Sequence, residues 1–315
     1  MSLVAAVIAL LLDQVRPIQH ARFVEQLALA WVRAVLHWGD TGQVGTARAL
    51  ALLAVAIPAA AAWLIEALLA RGNVALGWLW SVAVLYATLG FRQFSHGFTQ
   101  VRKALDAGDE GAARQALAQW TGRTVQAADA DELAQQAAAH GVLQTHRHVL
   151  GPLLLFVALP GVGGPVLYRA LAFCADHARR PDACSPAFMR AATQMFDAVD
   201  AVLVRISAAG FAIAGNFEEA AAAWRQWNLQ RVQASSWLQG VAFGALGFPA
   251  YVVRAELESS RPGMFANAAA AMEREAVAAP GLRPSHLAHV VGLLWRAVLM
   301  WMVLFALLQF TALVT

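Results

Sequence analysis

A histidine pair flanking an arginine is the first chemistry in this sequence. His146-Arg147-His148 sets a guanidinium between two imidazoles, directly before an apolar run broken by Pro160-Gly-Val-Gly-Gly-Pro165. Three readings of the cluster are open. Imidazole is the commonest metal ligand, but neighbours at i and i+2 on a helix face different ways and no cysteine or clustered carboxylate adjoins them, so no metal site is assigned. The same cations can anchor the segment at an interface and favour anionic headgroups. Arg147 can also offer a bidentate fork to a phosphate or carboxylate.

Tyr168-Arg169 closes the same broken segment on its far side, and Arg205 lies inside an apolar helical pattern with Asp197 and Asp200 preceding it. A charge in such a stretch costs several kcal/mol unless it is paired or hydrated. Arg205 is therefore expected to meet Asp200 or Asp197, while Arg296 is expected to snorkel. Lipase-type G-x-S-x-G, the P-loop, G-x-G-x-x-G and H-E-x-x-H are all absent. Cys174 and Cys184 are ten residues apart, match no metal-binding or disulfide pattern, and read as free thiols.

The elements that must position these residues follow from hydropathy. The chain has 315 residues, is 59% hydrophobic and 14% charged, and has a mean hydropathy of +0.54, too apolar for an ordinary soluble domain. Its partner is therefore a lipid bilayer. The net charge of +3 comes with a single lysine, Lys103, and no basic run, which argues against nucleic acid. Met1 to Leu12 lacks a basic start and a cleavage site, so it reads as a retained short helix.

Arg48 to Ala70 is long enough to cross the bilayer, with a kink expected at Pro58, and a turn at Arg71-Gly72-Asn73 leads into Ala75 to Leu89. The ends of this hairpin return to one side. That side carries Arg16, Arg22, Arg33 and Arg48 before the hairpin and Arg92, Arg102, Lys103, Arg114, Arg123 and Arg147 after it, against Arg71 alone at the turn. By the positive-inside rule both arginine-rich loops are cytoplasmic. Residues 91–148 are expected as helices: two amphipathic ones around Asp106-Ala-Gly-Asp109 and a third over Asp129 to His140. Further helices are expected over Phe188 to Asn216, Phe217 to Ser235 and Trp237 to Val253, the last buried or re-entrant, and His289 to Val314 is a span. Trp78, Trp80, Trp295 and Trp301 fit aromatic belts. The expectation is an all-α, polytopic integral membrane protein forming one domain over 1–315. It has about three full spans, one or two broken or re-entrant segments and a large helical cytosolic portion.

In order along the chain, Ala104-Leu-Asp-Ala-Gly-Asp109 with Ala113-Arg114, then Gly122-Arg123, Gly151-Pro152-Leu153, the Pro-Gly break, Tyr168-Arg169, Val204-Arg205-Ile206 and Gly244-Ala-Leu-Gly247 resemble motifs of one family. That family is the CobD/CbiB group of cobalamin-biosynthesis membrane proteins, with AmpE, a membrane protein linked to β-lactamase regulation, as a relative. The resemblance covers most of the chain. It implies ATP- and Mg2+-dependent amide ligation of an aminopropanol or its phosphate to adenosylcobyric acid, the adenosylcobinamide-phosphate synthase reaction, at a bacterial inner membrane. It also implies an anionic small-molecule partner, a corrinoid or phosphate-bearing metabolite, and leaves an oligomer open. Asp109, Arg114, Arg123, His146, Arg147, His148, Tyr168, Arg169 and Arg205 are then the candidate ligand-binding residues, with no catalytic residue assigned.

Departures from the family pattern fall on its acids. Thr124 stands where V-G-R-D-T has Asp, Gln144-Thr145-His146-Arg147-His148 where E-N-x-x-D-G is expected, and Ala170-Leu-Ala-Phe-Cys-Ala175 where Y-R-x-x-N-T-L-D continues. Cations and glycines are kept while carboxylates are not. The other expectation is thus a non-enzymatic, AmpE-like sensor or modulator that binds a cell-wall metabolite or partner protein. The arginine beside histidine before the proline, and Asp200-Ala-Val-Leu-Val-Arg205, resemble AmpE more closely.

Overall fold

The computed structural model describes residues 2–15, 21–40, 42–89, 91–122, 124–125, 127, 129–180, 183–228, 234–248 and 282–314. These residues are helical with connecting turns and contain no strand. The helices in chain order are α1 (Ser2–Val15), α2 (Ala21–His37), α3 (Val44–Gly72), α4 (Val74–Thr88), α5 (Phe91–Asp106), α6 (Glu110–Thr121), α7 (Ala130–Thr145), α8 (Gly151–Ala158), α9 (Gly163–Ala178), α10 (Pro186–Ala214), α11 (Phe217–Asn228), α12 (Ala234–Ala245) and α13 (Leu287–Val314). A π-helical turn, His146–Leu150, joins α7 to α8. The chain divides into two compact units. Unit 1 comprises Met1–Arg92, Arg147–Leu203 and Phe305–Thr315, and unit 2 comprises Gln93–His146 and Val204–Leu304.

In unit 1, α3 and α4 form the expected hairpin, with Asn73 serving both ends. Its N–H donates to Leu69 O, while its Oδ1 accepts from Ala75 N at 2.9 Å. Pro58 sits inside α3 and supplies no N–H, so Ala54 O loses its partner four residues on. The Trp31 indole of α2 takes that carbonyl at 2.9 Å, a tertiary repair of a local defect.

The Pro160–Pro165 break is repaired in the same way, by a residue that the sequence reading passed over. Glu66 of α3 accepts from Ser81 Oγ of α4 at 2.6 Å through Oε1, and from Val162 N at 2.8 Å through Oε2. Gly161 has φ +69, and a Cβ there would collide with Glu66 Oε2. The break is therefore a tight turn between α8 and α9, with α9 packed along α3. The buried core of unit 1 holds Leu50, Val55, Leu85, Leu153, Tyr168, Phe188 and Phe196.

Unit 2 contains the expected pair around Asp106–Asp109. Gly108 turns at φ +72, and Asp109 caps α6 by accepting from Ala112 N at 2.8 Å. Asp129 caps α7 on Glu132 N at 2.8 Å. Trp120 is the hub, edge-on to Phe98 at 6.1 Å and to His140 at 4.5 Å. Trp224 of α11 meets Trp237 of α12 at 4.5 Å, and Phe211, Leu238 and Phe243 are fully buried.

Among the described residues, two stretches of helix are long and apolar enough to cross a membrane, Val44–Gly72 and Pro284–Thr311. Only 22% and 39% of their apolar windows are buried, so much of each apolar surface lies open along its length. About three spans were expected; α4, the apolar partner of α3, has 15 residues and a length of roughly 22 Å, short of the ~30 Å hydrocarbon core.

Candidate functional site

The helical run from 130 to 158 would be one regular helix but for Pro152, whose ring opposes the carbonyl four residues back. The π-turn absorbs that conflict just before Pro152, and it does so at the His-Arg-His cluster. The unit boundary falls within the cluster, between His146 and Arg147. His146 is fully buried in unit 2, its Nδ1 2.8 Å from Ser207 Oγ. Arg147 and His148 belong to unit 1.

There Arg147, His148, Tyr168 and Arg169 come together. Arg169 Nη1 lies 3.2 Å from His148 Nδ1. A guanidinium only donates, so Nδ1 is the acceptor of this pair. Tyr168 is buried and donates its hydroxyl to Asp200 Oδ1 at 2.7 Å. Its ring lies against Gly151, where a Cβ would stand 2.5 Å from Cζ, so the start of α8 accepts the tyrosine only because it has no side chain there. Arg147 lies over the Phe196 ring, 5.2 Å from its centroid. That is within cation–π range.

Ion pairing continues from Arg147 toward solvent. Its Nη1 is 3.6 Å from Asp176 Oδ1, while Arg179 Nη1 holds the same oxygen at 3.1 Å and Arg179 Nη2 reaches Asp197 Oδ1 at 3.9 Å. The Arg147–Asp176 separation exceeds hydrogen-bond range. Arg147 Nε is buried without a hydrogen-bond partner among the described residues. At the end of α9, burial first, and then the positive charges of Arg180 and Arg33, hold the His177 imidazole below its ordinary pKa. Burial and Asp40 push the Cys184 thiol up, and both cysteines are free.

The remaining candidates lie in unit 2 or outside the described residues. Asp109 is the α6 cap, Arg114 Nη2 donates to Ala127 O at 3.0 Å, and Arg205 is exposed on α10. Arg123 lies outside the described residues. The acids beside the arginine cluster are Asp176, Asp197 and Asp200, none of which was a candidate. Their signal was the i, i+3 pair Asp197 and Asp200 in an otherwise apolar helix. Asp200 accepts from Tyr168, and Asp197 pairs with Arg179.

The cluster offers guanidinium donors to an anion. It does not fit a Mg2+ ion held by protein carboxylates. Asp176 is shared by two arginines, Asp200 is bonded to Tyr168, and among the described residues no group of three or more His, Cys, Asp or Glu could hold a metal.

No curated protein is detectably similar to the chain, and no solved structure is either. The family model described as CobD/Cbib protein matches residues 2–259, most of the chain, through both arginine-bearing helices of the cluster. The chain therefore belongs to the CobD/Cbib family.

Proposed function

We propose that this chain acts in cobalamin biosynthesis as a multi-pass inner-membrane protein that binds an anionic corrinoid precursor or phosphate-bearing metabolite through Arg147 and Arg169. Family membership supports the pathway. The observation that carries the site is Arg147, part-exposed beside Arg169 and His148 and, among the described residues, no closer than 3.6 Å to a carboxylate. The Arg147 side chain is 21% exposed, so a bound phosphate or carboxylate would meet its open guanidinium edge, with Arg169 beside His148 adding a second fork. Phe196 lies under Arg147, and Tyr168 packs against Phe196.

The family's amide ligation requires an activated carboxylate and neutralised phosphate charge, which ATP and Mg2+ supply when bound. This chain's residues contribute anion binding and orientation to that reaction. The test is binding of adenosylcobyric acid and of aminopropanol phosphate to the detergent-purified protein, followed by turnover with ATP and Mg2+. Binding that weakens about tenfold or more in both Arg147→Gln and Arg169→Gln supports the site, since a hydrogen bond to a charged group is worth ~1.5–3 kcal/mol. Absence of any binding by the wild-type protein sinks it.

A second reading, a non-enzymatic AmpE-like modulator of β-lactamase induction and peptidoglycan recycling, is favoured by one observation. The carboxylates beside the arginines are committed to internal partners rather than gathered for a metal. Under that reading, deletion of the gene alters the β-lactam response and leaves corrinoid levels unchanged.

A further inference from the structure

We propose that unit 1 binds an anionic phospholipid in a groove between α3 and α10, apart from the arginine cluster. The groove has a volume of about 300 Å³ and is lined by Arg48, Leu52, Ala191, Gln194, Met195 and Ala198. On α10 the four lining residues fall at i, i+3, i+4 and i+7, a single stripe, and on α3 the two fall at i and i+4. Among the described residues these stripes face each other without closing. Ala191 and Ala198 are too short to fill the space that a leucine would occupy.

The chemistry of the lining is divided. Leu52, Ala191, Met195 and Ala198 make an apolar trough, while Arg48 and Gln194 supply donors. Both polar residues are exposed, with no hydrogen-bond or ion-pair partner among the described residues. Arg48 lies in the second turn of the 29-residue α3, near its start, and Leu52 is one turn further in. In a spanning helix that order places the guanidinium near the headgroups and the leucine at the acyl chains. A free phosphate would use the cation and leave the trough bare, and a neutral lipid would fill the trough without matching the charge. An anionic phospholipid uses both.

This inference rests on the reading of the chain as a membrane protein, and the experiment separates the two. The full-length chain is fractionated, purified in detergent, stripped of lipid and melted against added phosphatidylglycerol, phosphatidylcholine or inorganic phosphate. Phosphatidylglycerol is expected to stabilise at a concentration about fivefold lower than phosphatidylcholine, the scale of one cation at an anionic surface, with phosphate inert. Arg48→Gln brings the two lipids level, Arg48→Lys keeps the preference, and Ala198→Trp, which fills the trough, removes the response to both. Circular dichroism and a monodisperse elution profile establish that each variant is folded. Equal responses of the wild-type protein to the two lipids, a response to phosphate alone, or a preference that survives both Arg48→Gln and Ala198→Trp overturns the site while the chain stays in membranes. Recovery of the chain in the soluble fraction overturns the site and the membrane reading together.

Discussion

Arg147 has five N–H donors and few acceptors. Its carboxylate neighbour among the described residues, Asp176, is shared with Arg179, which holds the same oxygen more closely. Asp176 is therefore a tethered competitor for any anion that approaches Arg147, and removing its charge frees both arginines. Asp176→Asn is expected to tighten anion binding by roughly three- to tenfold, and Arg147→Gln to weaken it about tenfold or more, on the scale of a charge-assisted hydrogen bond. Titration of phosphate into both variants measures this, and weaker binding by Asp176→Asn would remove Asp176 from the role of competitor. The sequence made Arg147, His148, Tyr168 and Arg169 legible because cations beside a helix break are unusual. It did not disclose Asp176, which lies 29 residues beyond Arg147 and meets it only through the α8–α9 turn. Asp109 is ambiguous from sequence for a physical reason. A carboxylate before a helix is as good a cap as it is a ligand, and here it caps.

At the scale of elements, two breaks in the helical pattern were visible, and their repairs were not. Pro58 and Pro160–Pro165 announce missing donors or exposed amides, but the groups that answer them, Trp31 and Glu66, are distant in sequence. The hairpin turn around Asp106–Asp109 was legible because glycine and a capping aspartate are local signals. Gly161→Ala tests the turn between α8 and α9. At φ +69 an alanine is strained, and its methyl group collides with the Glu66 carboxylate that holds Val162 N. A loss of more than about 1 kcal/mol is expected. Thermal melts measure it, and a loss of similar size in Glu66→Ala would place the two in one device.

The end of α9 carries a pH dependence. A helix C-terminus ordinarily favours a charged histidine, but burial, Arg180 and Arg33 push the His177 pKa down. The folded chain thus binds this proton less readily than the unfolded one. Stability contributed by neutral His177 is complete above the unfolded value of ~6.5 and is lost as pH falls toward the depressed folded value. The melting temperature is expected to drop between pH 7 and pH 5, with a shallower slope in His177→Phe. Equal slopes would assign the effect to other groups.

For the whole molecule, composition was a safe guide to helices and to membrane-length segments, and a poorer guide to their number. The hairpin partner of α3 reads as apolar throughout, yet the helix it forms has 15 residues, and no hydropathy pattern announces that both ends stop short. Trp80 near its middle donates to Ala62 O at 3.0 Å, so α4 is fastened to α3 whether or not it crosses alone. A short helix fastened to a spanning one is accommodated by local thinning of the bilayer or by interfacial anchors. The charge distribution then sets orientation, since Arg71 stands alone at the turn. With Cys174 and Cys184 replaced by alanine, single cysteines at Asn73 and at Gly108 report the two faces. Maleimide applied to intact, outer-membrane-permeabilised cells is expected to label Asn73→Cys, whereas Gly108→Cys is labelled only after lysis. Labelling of both from the same side would mean that α4 does not return across the bilayer, and that α3 crosses without it.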